Sequence, residues 1–139
     1  MRGRVSTPIA ADESVGSARA IRRAIEIEAC DVVNVKLAGA GGFHPARDML
    51  RLARSNGLGA FLSSTLDGPW GIAAALQLAA SEGLTLACGL ATLNLFGGPI
   101  ARALPAPRNG TLKVPPGPGL GVEISGKSLA DVVVDEVRQ

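Results

Sequence analysis

Four short apolar runs recur at nearly even intervals along the chain: Thr7–Asp12 (TPIAAD), Asp31–Leu37 (DVVNVKL), Leu58–Ser63 (LGAFLS) and Leu84–Leu90 (LTLACGL). Residues at their C-terminal ends, Asp12, Lys36, Ser63 and Gly89, lie 24, 27 and 26 residues apart. One strand, one helix and two short turns fill an interval of that length. Strands alternating with helices, and apolar on both faces, predict a parallel α/β sheet.

The intervening segments carry helix signals. In Ser14–Ala29, Ile21, Ala24 and Ile25 share one face. After the glycine-rich turn 39–42, Ala46, Met49, Leu50 and Ala53 form an i, i+3, i+4, i+7 stripe. Pro45 is expected at that helix's first position with His44 capping it, and Asn56-Gly57 ends it. Trp70–Glu82 is apolar almost all round and is expected to be a buried helix introduced by Asp67-Gly-Pro69. Ala91–Phe96 reads as a short helical turn. Beyond Gly97 the chain is rich in Pro and Gly, with a small strand expected at Thr111–Val114. Ser128–Arg138 reads equally as a helix or a strand.

Composition narrows the function classes. Hydrophobic residues are 47% and charged residues 19%, which excludes disorder. A net charge of +2, with three Phe, one Trp and no Tyr, gives neither the basic footprint nor the stacking platforms of a nucleic-acid binder. Cys30 and Cys88 form no CxxC pair, so neither a disulfide framework nor a zinc site is expected. The uncharged stretch from Gly83 to Ile100 is broken by glycines and polar residues and does not read as membrane-spanning. The N-terminus has no apolar signal-peptide region, so the cytoplasm is the expected compartment. No GxGxxG or Walker pattern follows any strand, and the Gly39-Ala-Gly-Gly42 turn lacks a third spaced glycine. A barrel of parallel strands is therefore favoured over a nucleotide-binding sheet.

In such barrels the chemistry lies at the C-terminal strand ends. Asp12 there could present a carboxylate to a hard cation, or serve only as the acid at a helix N-terminus. Glu13, one residue on, is expected to point elsewhere, as a support or a helix cap. Lys36 is the only charge between Val32 and Gly42. A lysine ending an apolar strand is costly unless it meets a polar cavity, where burial would lower its pKa and suit it to proton transfer; the alternative is a side chain snorkelling at the rim. Ser63, Ser64 and Thr65 could hold a substrate carboxylate or cap a turn. Cys88 reads as a small buried hydrophobe.

Five segments, PIAADES (8–14), DVVNVKLAGAGG (31–42), GLGAFLSSTLDGPWGIAAALQLAA (57–80), ACGLATLNLF (87–96) and VPPGPGLGVE (114–123), carry a resemblance. Taken together they resemble the C-terminal part of the enolase superfamily, on its mandelate racemase and muconate-lactonizing branch. The resemblance implies an α/β fold, the C-terminal half of a modified (β/α)₇β TIM-type barrel, with about four parallel βα units and a Pro/Gly-rich C-terminal segment. Residues 1–96 would be strands five to eight, and 97–139 an extension that in the family packs back on a capping domain.

The resemblance also assigns roles. Asp12 looks like a Mg²⁺ ligand at the end of the fifth strand, and Lys36 like the sixth-strand lysine. Ser63 and Ser64 fall on the seventh strand and Cys88, Gly89 and Leu90 on the eighth, as substrate-binding positions. The SSTLDG and ACGLAT segments are most similar to o-succinylbenzoate synthases, dehydratases of menaquinone synthesis. Dipeptide epimerases carry Asp-x-Asp where this chain has Cys88-Gly-Leu90. In the family, Mg²⁺ binds a substrate carboxylate and stabilises an enediolate as the α-proton leaves. In a synthase Lys36 would stabilise that anion by charge; in a racemase, epimerase or cycloisomerase it would be a second base. The expected substrate is a small carboxylate. The expected partner is the N-terminal barrel half with its capping domain, or a second copy. The remaining reading is a catalytically inactive half-barrel with an exposed apolar inner face.

Overall fold

The computed structural model describes residues 2–123. Three strands, β1 (Ala10–Ala11), β2 (Val32–Lys36) and β3 (Gly59–Ser63), lie parallel in one sheet in chain order. Each is followed by a helix: α1 (Ala18–Glu26), α2 (Phe43–Ser55) and α3 (Pro69–Ser81). The α/β alternation expected from the strand spacing is present.

The sheet is two-sided. Val33 and Val35 on β2, and Ala60 and Leu62 on β3, are buried against Ile21, Leu50, Ala53, Ile72 and Leu78 of the helices. Successive side chains alternate across a strand, so Val32, Asn34 and Lys36 share the opposite face. The register pairs them with Gly59, Phe61 and Ser63. On that second face only Asn34 is buried; the other five are half-buried. Gly59 leaves room there for its neighbours: a Cβ would lie 3.1 Å from both Leu86 Cδ1 and Val32 Cγ2, a tight contact.

Local chemistry sets the helix bounds. Ser17 caps α1, its Oγ accepting from the Ala20 N–H at 3.2 Å. The α2 stripe Ala46, Met49, Leu50 and Ala53 is buried as the periodicity predicts. Its start differs from expectation: Gly42, with φ of 116°, precedes the helix and no side chain caps it. His44 is therefore an exposed first-turn residue, not a cap, and Pro45 is the third helical residue. Pro45 is tolerated there because the first helical N–H groups have no intrahelical acceptor. α3 starts at Pro69 and buries Ile72, Ala73, Ala75, Leu76 and Leu78, but Trp70 in its first turn is 42% exposed.

Two expected strands are reduced. Thr7–Asp12 shrinks to Ala10–Ala11, an edge strand paired on one side only, and Pro8 has no N–H to give to a ladder. Leu84–Leu90 forms only a single parallel bridge, Ser63 with Gly89, through Gly89 N–H to Leu62 O at 2.9 Å and Ser64 N–H to Gly89 O at 3.0 Å. Among the described residues no strand pairs along its far side. Thr111–Val114 is likewise no strand; Thr111 bridges back to Arg108 across the Asn109-Gly110 turn. A short 3₁₀ turn at Ala91–Leu95 matches the expected helical turn, and α4 (Gly98–Ala101) follows. The segment after it packs on the helical layer: Leu104 and Pro115 are buried, and Gln77 donates to Pro115 O at 2.9 Å. Ser128–Arg138 lies outside the described residues.

Candidate active site

Parallel pairing brings the C-terminal ends of the strands to one rim. Asp12 follows β1 directly and takes the alternation that faces Asn34 and Lys36 of β2. Lys36 Nζ lies 2.8 Å from Asp12 Oδ1 and also pairs with Glu13 Oε1. Asn34 Nδ2 donates to the same Asp12 Oδ1 at 2.9 Å. Asp12 precedes the 3₁₀ turn Glu13–Val15 but its side chain makes no capping bond. Its carboxylate is turned across the strands toward Asn34 and Lys36 rather than into a cap.

Glu13 does not point elsewhere; it reaches back to Lys36. Lys36 does not have its pKa lowered. The bonds to Asp12 and then to Glu13 raise it, and burial opposes them only in part. The Asp12 carboxyl is held below its ordinary value, chiefly by the Lys36 hydrogen bond. Lys36 is thus a fixed ammonium at the rim, suited to stabilising an anion.

Ser63 is opposite Lys36 in the β2–β3 register, with Gly89 beyond it. A Cβ at Gly89 would lie 3.0 Å from Ser63 Cβ, so glycine permits this approach. The Ser64 hydroxyl is engaged internally: its Oγ accepts from the Asp67 N–H at 2.9 Å and from Thr92 Oγ1 at 2.8 Å. Cys88, half-buried rather than buried, lines a cavity of about 480 Å³ together with Leu90, between α3, residues 84–91 and the 107–114 turn. None of Asp12, Glu13 or Lys36 borders that cavity. Asn34 and Thr92 join the rim although the strand-end pattern does not single them out. The available signal for Asn34 was a polar residue within a valine run, two positions before Lys36.

The donor chemistry at Asp12 fits a hard dication. Carboxylate oxygens are its preferred ligands, and Mg²⁺ binds through one or two of them with water completing the shell. Among the described residues no group of three metal-ligating side chains converges. Asp12, with Glu13 beside it, therefore fits as part of a ligand set.

A family model described as Enolase C-terminal domain-like matches residues 1–128. The chain is 40% identical over 136 residues to an o-succinylbenzoate synthase of Thermobifida fusca, covering 97% of this chain and 40% of that protein. An N-succinyl Arg/Lys racemase from Bacillus cereus superposes with a TM-score of 0.79 at 26% identity, over 96% of this chain and 36% of the racemase. A dipeptide epimerase from Enterococcus faecalis, solved with Mg and the dipeptide L-Leu-L-Tyr, superposes with a TM-score of 0.63 at 29% identity, over 66% of this chain and 26% of its own. The chain thus spans well under half the length of these proteins, and it matches the C-terminal part of an enolase-type TIM barrel. By the parallel βα units, the acid–lysine rim and these matches, the chain belongs to the enolase C-terminal domain-like family, on its mandelate racemase and muconate-lactonizing branch.

Proposed function

We propose that this chain is the C-terminal barrel part of a Mg²⁺-dependent, o-succinylbenzoate synthase-like lyase of menaquinone synthesis, acting in the cytoplasm on a small carboxylate. The carrying observation is the Lys36 ammonium fixed beside Asp12 at the mouth of parallel strands. Support for the synthase over other branch members comes from the 40% identity across nearly the whole chain.

Asp12, with carboxylates from the rest of the barrel, would hold Mg²⁺, which when bound offsets the charge of a substrate carboxylate. Lys36 would present its ammonium to the anion formed when a base outside this chain removes the α-proton. That base returns the proton to the β-hydroxyl, which leaves as water as the carbon–carbon double bond forms. Ser63 and Gly89, beside Lys36, would line the substrate site. Ser64 would shape that rim through its bonds to Asp67 and Thr92. Cys88 and Leu90 would contribute from the neighbouring segment.

Residues 1–96 would supply half of the barrel, and 97–139 would pack against a capping domain. The half-buried face bearing Val32 and Phe61 would be covered by the other barrel half. The test combines this chain with the N-terminal portion of the Thermobifida fusca synthase and follows loss of water to the aromatic product. Activity in the mixture and none in either part is expected. No activity from a folded, associated mixture overturns the lyase reading and leaves the inactive half-barrel; sedimentation then tells whether copies of the chain cover the open face themselves.

A racemase, epimerase or cycloisomerase is the second reading, favoured by the Bacillus cereus racemase superposition. Deuterium exchange at a substrate α-carbon without loss of water would select it. Lys36 would then act as a base, against the direction in which Asp12 and Glu13 move its pKa.

A further inference from the structure

Asn34 is at odds with its surroundings. It interrupts the run Val32-Val33-Asn34-Val35 at the centre of the middle strand. Asparagine is a poor strand former, and valine is among the best. The residue is only 7% exposed. One polar atom is satisfied, Nδ2, by Asp12 Oδ1 at 2.9 Å. The other, Oδ1, is buried with no hydrogen-bond partner. The amide orientation is fixed by chemistry, since a carboxylate oxygen requires the donor end to face it. A buried carbonyl without a donor destabilises the fold. Local choices that oppose the fold mark positions kept for a site.

We propose that Asn34 is a positioning residue for the Asp12 carboxylate. Asp12 follows a strand only two residues long, and its side chain is 48% exposed. Lys36 reaches the same Oδ1 from the end of a long side chain and divides its ammonium between Asp12 and Glu13, whereas Asn34 bonds Asp12 alone from a short side chain on the middle strand. Partners of this kind orient metal-ligating carboxylates, and their loss typically lowers metal affinity about 10- to 100-fold. The proposal rests on reading Asp12 as a metal ligand, but it requires no lyase activity and is tested on the chain by itself.

The decisive variant is Asn34→Val, which removes the bond to Asp12 and the orphaned oxygen together while suiting the strand. Mn²⁺ serves as the probe, read by paramagnetic broadening of backbone amide signals near Asp12. Thermal unfolding of the metal-free chain is measured in parallel. The expected result is an unfolding midpoint unchanged or raised, with about 10- to 100-fold more Mn²⁺ needed for equal broadening. In an Asp12→Asn background the broadening is lost and Asn34→Val has no further effect on it. A lowered midpoint, or a variant that does not fold, makes Asn34 a structural residue and overturns the proposal. So does an unchanged Mn²⁺ response, or no response localised to Asp12 in the parent chain. Failure of the synthase assay with these results intact would count against the reaction and not against Asn34.

Discussion

Lys36 Nζ lies 2.8 Å from Asp12 Oδ1 and joins the C-terminal ends of two neighbouring parallel strands that are 24 residues apart in sequence. The contact exists because β1 and β2 run in the same direction in register, Ala11 opposite Val33. An antiparallel pairing would send the two side chains to opposite ends of the sheet.

The pair makes stability depend on pH in two directions. The Asp12 pKa is lowered on folding, so its contribution is complete above the ordinary aspartate range and is lost as pH falls through the lowered value. The Lys36 pKa is raised, so its contribution is complete below the ordinary lysine range and is lost as pH rises through the raised value. The unfolding midpoint should thus be insensitive to this pair between about pH 5 and pH 10. Asp31 and Glu82 are also lowered and share the acid limb. Asp12→Asn should therefore shrink the acid-side loss without abolishing it; an unchanged acid limb would refute the pairing.

Removing the ammonium should cost activity and not structure. In the reconstituted enzyme, Lys36→Ala is expected to lower kcat by about 10²- to 10³-fold, the usual effect of deleting one group that stabilises a developing anion. The far-ultraviolet circular dichroism of the variant should match that of the parent. Normal turnover would remove Lys36 from the site.

The two faces of β3 should respond in opposite ways. Leu62 is fully buried among the helices, so Leu62→Ala should destabilise the chain by about 2–5 kcal/mol. Phe61, one residue earlier on the half-buried face, should tolerate Phe61→Ser in the chain by itself with a loss below about 1 kcal/mol. Chemical denaturation of both variants checks the contrast. Equal losses would mean that the second face is covered in solution, as by another copy.

Glu82, at the end of α3, pairs with Arg51 at 2.7 Å and accepts a longer contact from Arg54 at 3.7 Å, both on α2. Its carboxylate is largely covered, but both arginines are roughly half exposed, so solvent screens the pairs. Glu82→Gln should cost about 1 kcal/mol in urea denaturation at neutral pH and less in high salt. A salt-independent loss would point to packing instead.

Gly121 explains part of the PPGPGLG segment. Its φ is +65°, and a Cβ would lie 2.6 Å from Pro116 O and 2.9 Å from Pro115 Cβ. Gly121→Ala should lower stability by about 1–3 kcal/mol, because the backbone conformation and the contact both oppose it. An unchanged melting temperature would show that this turn relaxes freely.

The sequence by itself determined the strand–helix alternation, the buried stripe of α2 and the placement of Asp12, Lys36 and Ser63 at strand ends. Those are properties of periodicity and spacing, which local side-chain patterns encode. Only the tertiary structure decided which of these residues meet. Glu13 turned toward Lys36 because the chain bends into a 3₁₀ turn after β1, and the two carboxylates reversed the expected direction of the lysine's pKa. The Leu84–Leu90 run looks as strand-like as the others, yet among the described residues it meets β3 in a single bridge, and how far two segments pair is set by packing rather than by local pattern. Asn34 was hidden for a related reason: its significance lies in a hydrogen bond across strands and in an oxygen left without one, and both are products of packing.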